Sequence, residues 1–225
     1  MRNVLEYKDG VSFFGSSSGW ENKVEMGKGR SAGIEFMAQK TAGKTTGWLS
    51  YTLSKSDRKF TKGGINNGEW FPYKYDRRHS INLTINHKFS DRIDIGASWV
   101  FYTGGTSTIP EEKTTVIRPH NGANNGFLWY GTYDNTNSSP TIGDVSYIEH
   151  RNNFRLPASH RLNLGVNFNK KTKHGMRTWN ISLYNAYNAM NPAWVYRGHN
   201  KQGLSVIKKY TLLPLIPSFT YTYKF

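Results

Sequence analysis

Seven histidines are the first residues to weigh for chemistry. His79 and His87 lie eight positions apart on one alternating segment. At about 3.3 Å per residue in a strand, that is far beyond chelating distance. His120, His150, His160, His174 and His199 fall in connections or at segment ends, and no two have the close spacing of a zinc site. Glu111 and Glu112 are adjacent, so in extended chain they point apart and make a poor acid/base pair. Glycine pairs at Gly63-Gly64 and Gly104-Gly105 read as turns, not phosphate cradles. There is no Gly-x-Ser-x-Gly, Walker loop or His-Glu-x-x-His. With no cysteine, thiol nucleophiles, thiolate metal sites and disulfides are excluded. No enzyme, cofactor or metal site is expected.

Aromatic residues are the richer signal, at 15% of the chain. Trp48, Trp99, Tyr102, Trp179, Tyr187 and Trp194 lie on or near strand ends. They suit an aromatic girdle at a membrane interface, where an amphipathic ring is most stable. The alternative is a stacking surface for a ligand. Phe127, Trp129, Tyr130 and Tyr133 lie in a long connection and are the better candidates for touching a ligand or partner.

The elements that carry these residues read as strands. In Pro217–Phe225, Phe219, Tyr221, Tyr223 and Phe225 alternate with Ser218, Thr220, Thr222 and Lys224, the period of a strand with one apolar face. His79 to Phe89 sets Ile81, Leu83 and Ile85 against Ser80, Asn82, Thr84 and Asn86. Ile93 to Tyr102 returns with Ile95, Ala97, Trp99 and Phe101. Ser31 to Lys40 and Gly47 to Ser56 form another hairpin, as do Arg161 to Asn169 and Arg177 to Tyr187. Val4 to Tyr7 ends a strand, and Ala193 to Arg197 begins one. Ser205 to Phe225 is expected as one long final strand, with Pro214 and Pro217 marking a bulge. Residues 104–157 form a connection of about fifty residues without periodicity, too long for a compact soluble domain but routine in a barrel.

Hydrophobic residues make up only 36% of the chain and mean hydropathy is −0.66. No run approaches the roughly 18 apolar residues of a membrane helix. A transmembrane strand gives only a weak average signal, because every second residue faces lipid. The expected class is therefore all-β, a transmembrane antiparallel β-barrel of about eight strands, each near the ten residues that cross a bilayer. The net charge of +15 is spread over connections and strand ends such as Arg77, Arg78, Lys170 and Lys171. No nucleic-acid motif accompanies it, so no nucleic-acid partner is expected.

The polar-face residues Ser80, Asn82, Thr84, Asn86, Asn163, Gly165, Asn167, Ser182, Thr220 and Thr222 are small. They would under-fill a narrow closed barrel and suit the wall of a wide one. Met1 to Gly10 lacks the apolar core of a signal peptide, so a piece of a longer exported protein is expected.

Several motifs in order resemble the C-terminal third of a TonB-dependent outer-membrane receptor of the Bacteroidetes type. Gly29-Arg-Ser-Ala-Gly-Ile-Glu35 is similar to a family strand start. Tyr75-Asp-Arg-Arg-His79 and Phe154-Arg-Leu-Pro-Ala-Ser-His-Arg-Leu162 resemble strand openings. Trp99-Val-Phe-Tyr-Thr-Gly-Gly105 looks like a strand end, Tyr184-Asn-Ala-Tyr-Asn188 sits where members carry Asn-Leu-Phe-Asn, and Tyr223-Lys-Phe225 matches the closing signature. The resemblance implies that residues 1–225 are the C-terminal arc of a barrel of about 22 strands. It implies import of a scarce nutrient, a ferric siderophore, cobalamin or glycan. It also implies as partners outer-membrane lipid, the plug and N-terminal strands, the TonB system through that plug, and the outer-membrane assembly machinery that reads the terminal aromatic strand.

Two other functions fit the residues: a self-contained small outer-membrane barrel acting as adhesin or binding module, and a soluble all-β domain binding glycans or polyanions. With Ser205 to Phe225 as one strand, counting back from Phe225 puts residues 104–157 on the periplasmic side. A break at the prolines moves them outside, as the loop-length rule prefers. The motif match favours one strand.

Overall fold

A computed structural model describes residues 1–8, 19–61, 65–118 and 141–225, with 112–118 and 141–146 described by backbone alone. In chain order the strands are β1 (Arg2–Tyr7), β2 (Val24–Lys40), β3 (Thr45–Lys59), the two-residue β4 (Phe71–Pro72), β5 (His79–Lys88), β6 (Ile93–Tyr102) and the two-residue β7 (Thr106–Ser107). There follow β8 (Glu112–Arg118), β9 (Thr141–Tyr147), the two-residue β10 (Phe154–Arg155), β11 (Ser159–Thr172), β12 (Gly175–Tyr184), β13 (Pro192–His199), β14 (Ser205–Thr211) and β15 (Ile216–Lys224). The protein is all-β, with no α-helix among the described residues.

One antiparallel sheet runs β1-β2-β3-β5-β6-β11-β12-β15, with β4 beside β3. Its outermost strands, β1 and β15, each pair on one side only, so the described residues form an open sheet. The pairs β7–β10, β8–β9 and β13–β14 stand apart from it. Strands that alternate direction collect their connections at two ends. Short turns 41–44, 89–92 and 173–174 gather at one end. The described parts of the long connections 8–23, 60–78, 103–158 and 185–215 gather at the other.

Two expectations change. Ser205 to Phe225 is not one strand: it divides into β14 and β15 at Leu212–Leu215, and β14 pairs with β13 in a hairpin outside the main sheet. Residues 104–157 are also less bare than their sequence. They hold β7, β10 and the β8–β9 pair, whose residues come together across more than twenty intervening positions and so leave no local period. With the division at Leu212–Leu215, every long connection lies at the end opposite the last residue of β15.

Among the described residues the buried apolar side chains are Phe60, Ile65, Phe71 and Ile109, all in or beside the long connections. Phe60, Ile65 and Phe71 pack together with Val4 against them. This small core ties the long-connection end together. Among the described residues nothing comparable covers the main sheet.

Candidate functional site

Register decides which side chains share a face, because a slip of one residue would exchange the faces. Phe36 lies opposite Tyr51, Tyr51 opposite Ile81, Ile81 opposite Phe101 and Phe101 opposite His160. The next row is Ala38, Leu49, Leu83, Trp99 and Leu162. Towards the short turns follow His87, Ile95, Val166, Ile181 and Phe219, then Ile93, Phe168, Trp179 and Tyr221. One face is thus apolar from β2 to β15. Ile34, Phe36, Ile181 and Phe219 on it are at least half exposed among the described residues. From Ile93 to Phe101 the apolar run is about 26 Å along the strand at ~3.3 Å per residue.

Aromatic rings bound this face at both levels. Near the long connections Trp99 stacks on Phe101 at 6.0 Å and donates its Nε1–H to the Tyr187 hydroxyl at 3.1 Å. The same hydroxyl meets His160 Nδ1 at 2.8 Å. Near the short turns Trp179 packs against Phe219 and Tyr221, with centroids 5.0 and 4.5 Å apart, and Tyr223 lies 6.3 Å from Phe225. Trp194 lies on the separate β13–β14 hairpin, stacked on Tyr210 at 4.3 Å. Trp48 and Tyr102 are on the opposite face, in register with Thr84 and Ser80. Period-two parity gives those two positions away in sequence. Phe127, Trp129, Tyr130 and Tyr133 lie outside the described residues.

The opposite face is polar and its side chains bond one another. Asp94 accepts from Asn167 and Asn169, each at 2.7 Å. Asn180 donates to Asn167 and Thr178 to Asn169, again at 2.7 Å. Gly96, Gly165 and Ser182 continue the same face. Between Asp94 and Ser182 the side chains are small, hydrogen-bonded across strands, and uncovered by any second layer among the described residues, with the larger Trp48 and Tyr102 nearer the strand ends.

At the long-connection end, Asp76 is the hub. It is 1% exposed. Its carboxylate accepts from Arg155 Nη2 at 2.6 Å and from the Ser56 backbone N–H at 2.7 Å, and Arg78 lies 3.5 Å away. Arg155 also donates to the carbonyls of Asp76 and Gly104. Burial alone would raise the Asp76 pKa. The Arg155 and Ser56 hydrogen bonds and the charges of Arg78 and Arg155 outweigh it and hold the carboxyl below its ordinary value. The hub locks the 60–78 and 103–158 connections together.

At the same end of the sheet, guanidinium groups lie over tyrosine rings: Arg58 over Tyr73 at 4.1 Å, Arg77 over Tyr102 at 4.0 Å and Arg161 over Tyr184 at 4.3 Å. Sequence reading missed these pairs, because each joins residues from different strands or connections. Register could have placed Arg161 and Tyr102 on one face, since Ser159 pairs with Tyr102.

His79 and His87, like His160, take hydrogen-bonding roles. His79 Nδ1 meets the Tyr51 hydroxyl at 2.9 Å, and His87 Nδ1 meets Thr45 at 2.7 Å. Glu111, Glu149 and His150, which no sequence spacing joins, come within 4.8 Å of one another through their ligand atoms. The Glu149 and His150 side chains are about half exposed, at 50% and 46%, and solvated carboxylates of this kind need no ion.

The fold and surfaces define an antiparallel sheet protein with one apolar and one polar face. No family model, curated protein or solved structure matches the chain. No helix among the described residues is long and apolar enough to cross a membrane.

Proposed function

We propose that the chain is a wall of a TonB-dependent outer-membrane transporter, spanning the bilayer with β2, β3, β5, β6, β11, β12 and β15. The carrying observation is the continuous, uncovered apolar face over these strands, backed by a polar face. In water, such a face with open edges is an aggregation hazard. In lipid it is the stable arrangement, once further strands pair the edges at β1 and β15.

The small polar face suits a wide lumen holding water or a plug rather than a narrow packed barrel. Trp99 and Trp179 sit where an interfacial girdle on the lipid side would lie, whereas Trp48 and Tyr102 face the lumen in this arrangement. Long connections at one end and short turns at the other fit the outside and periplasmic ends of such a barrel. The remaining strands, a plug, TonB and the assembly machinery are the partners this role requires. The imported nutrient is a ferric siderophore, cobalamin or glycan on family resemblance alone.

Flotation tests the assignment. Chain refolded with phospholipid vesicles should rise with them through a density gradient and resist alkaline extraction. A folded monomer that stays in detergent-free buffer and ignores the vesicles contradicts it.

A further inference from the structure

Beyond its last aromatic row, the apolar side of the sheet turns basic. Phe168, Trp179 and Tyr221 form that row. One pleat further towards the short turns, on the same face, Lys170, Arg177 and Tyr223 lie in register. The step is about 7 Å along the strand at ~3.3 Å per residue. Lys170 and Arg177 are direct cross-strand partners, and both are exposed. Like charges set opposite each other destabilise a strand pair. Yet β11 and β12 stay paired through this row as far as Thr172 and Gly175. An anion held by both cations offsets that repulsion.

The short-turn end is described throughout, at 41–44, 89–92 and 173–174. Its two acids are engaged away from this pair. Asp91 pairs with Lys88 at 3.0 Å. Asp94 lies on the polar face and accepts from Asn167 and Asn169. Lys171 and Lys173 carry positive charge on into the turn, and Lys224 lies opposite Met176.

Depth selects the anion. The apolar run from Ile93 to Phe101, about 26 Å long at ~3.3 Å per residue, is close to the ~25 Å apolar band of an outer-membrane barrel. With that band in hydrocarbon, the Lys170–Arg177 row falls among the lipid headgroups. The anion there is a phosphate, and a guanidinium takes two of its oxygens at once.

We propose that Lys170 and Arg177 form a binding site for the phosphate of an anionic phospholipid in the leaflet at the short-turn end. This rests on the membrane-wall assignment and adds to it a headgroup charge and a leaflet. Trp179, two residues from Arg177 on the same face, is the reporter beside the site. Trp99, near the other end of that face, is the control.

Single-tryptophan chains keeping Trp179 or Trp99 are reconstituted in phosphatidylcholine vesicles. The vesicles hold a minor share of brominated phosphatidylglycerol or, in parallel, of brominated phosphatidylcholine. The expected result is a preference for phosphatidylglycerol at Trp179 that falls about fivefold or more in Lys170→Gln/Arg177→Gln. The same variant leaves quenching at Trp99 unchanged. Lys208→Gln/Lys209→Gln removes equal charge from β14 and leaves the Trp179 preference as it was. Without these substitutions the preference should also fade as salt approaches ~1 M, where the screening length is about 3 Å. That second reading holds even if the double variant fails to fold. A preference that survives in the folded double variant overturns the proposal. So does one abolished by millimolar inorganic phosphate at constant ionic strength, which marks a site for a free anion. Trp179 quenched equally by the two lipids removes the headgroup site and leaves the membrane wall standing. Trp179 quenched by neither removes the wall and the site with it.

Discussion

The side-chain amide of Asn185 donates to the carbonyl of Leu213 at 3.1 Å, and both residues have positive φ, 54° and 58°. Asn185 is 1% exposed, and its amide also donates to the carbonyl of Ala189 while accepting from the Ala189 N–H. Asn188 adds a bond from the Leu215 N–H. These contacts fix the break between β14 and β15 and free the β13–β14 hairpin from the wall. Asn tolerates the left-handed region well, Leu poorly.

Asn185→Ala should therefore cost about 3 kcal/mol, from orphaned buried groups and the loss of a residue suited to positive φ. Leu213→Gly should gain about 1 kcal/mol by relieving strain. Urea unfolding of the refolded chain reads both changes, and their opposite signs are the distinguishing outcome.

The Asp76 hub gives a pH dependence with a definite sign. Its folded pKa is depressed, so the stability it contributes is fully present above the ordinary value of 3.8. That stability is lost as pH falls through the lower, folded value. Proteolysis of the 103–158 connection by an acid-active protease should accelerate across that window. Asp76→Asn should remove the pH dependence while making the connection more sensitive at neutral pH. Arg155→Ala should cost about 1–3 kcal/mol, since Arg78 and Ser56 still hold the carboxylate.

Gly104 is a point of close backbone approach rather than a turn. A Cβ there would stand 2.0 Å from the Leu156 carbonyl oxygen. Gly104→Ala should destabilise the chain by about 2–3 kcal/mol through overpacking. Thermal melting would check this against Gly43→Ala, a turn position with φ of +91° and nothing within 4 Å of the added methyl. Gly43→Ala should cost only about 1 kcal/mol of backbone strain.

The hairpins β2–β3, β5–β6 and β11–β12 were legible because each strand carries its own period-two signal and each turn is short. His79 to Phe89 against Ile93 to Tyr102 needs nothing beyond local alternation. The separation of β14 from β15 was only half legible. Pro214 and Pro217 offered a break within Ser205 to Phe225, but the motif match favoured one strand, and the tertiary bonds of Asn185 and Asn188 fix the break at Leu212–Leu215. The Asp76–Arg155 bond joins residues 79 positions apart, and the Arg–Tyr contacts join separate strands or a connection and a strand, so neither leaves a local pattern. The aromatic residues were legible as strand-end residues, and alternation along their own strands already separates Trp48 and Tyr102 from the apolar face.

Parity also predicts fluorescence. In single-tryptophan variants reconstituted with brominated phospholipid, Trp99 and Trp179 should be quenched strongly and Trp48 weakly. Equal quenching of all three would place both faces in one environment and remove the two-faced wall.

Ile181 and Ser182 are adjacent on β12 and point to opposite faces, and the chain has no cysteine of its own. The most direct measurement is maleimide labelling of Ile181→Cys and Ser182→Cys in lipid vesicles. The account predicts that a membrane-impermeant, water-soluble reagent labels Cys at 182 readily and spares 181, with a lipid-soluble reagent reversing the order. Equal labelling of both positions by the water-soluble reagent, in chain that is folded and vesicle-bound, would contradict it.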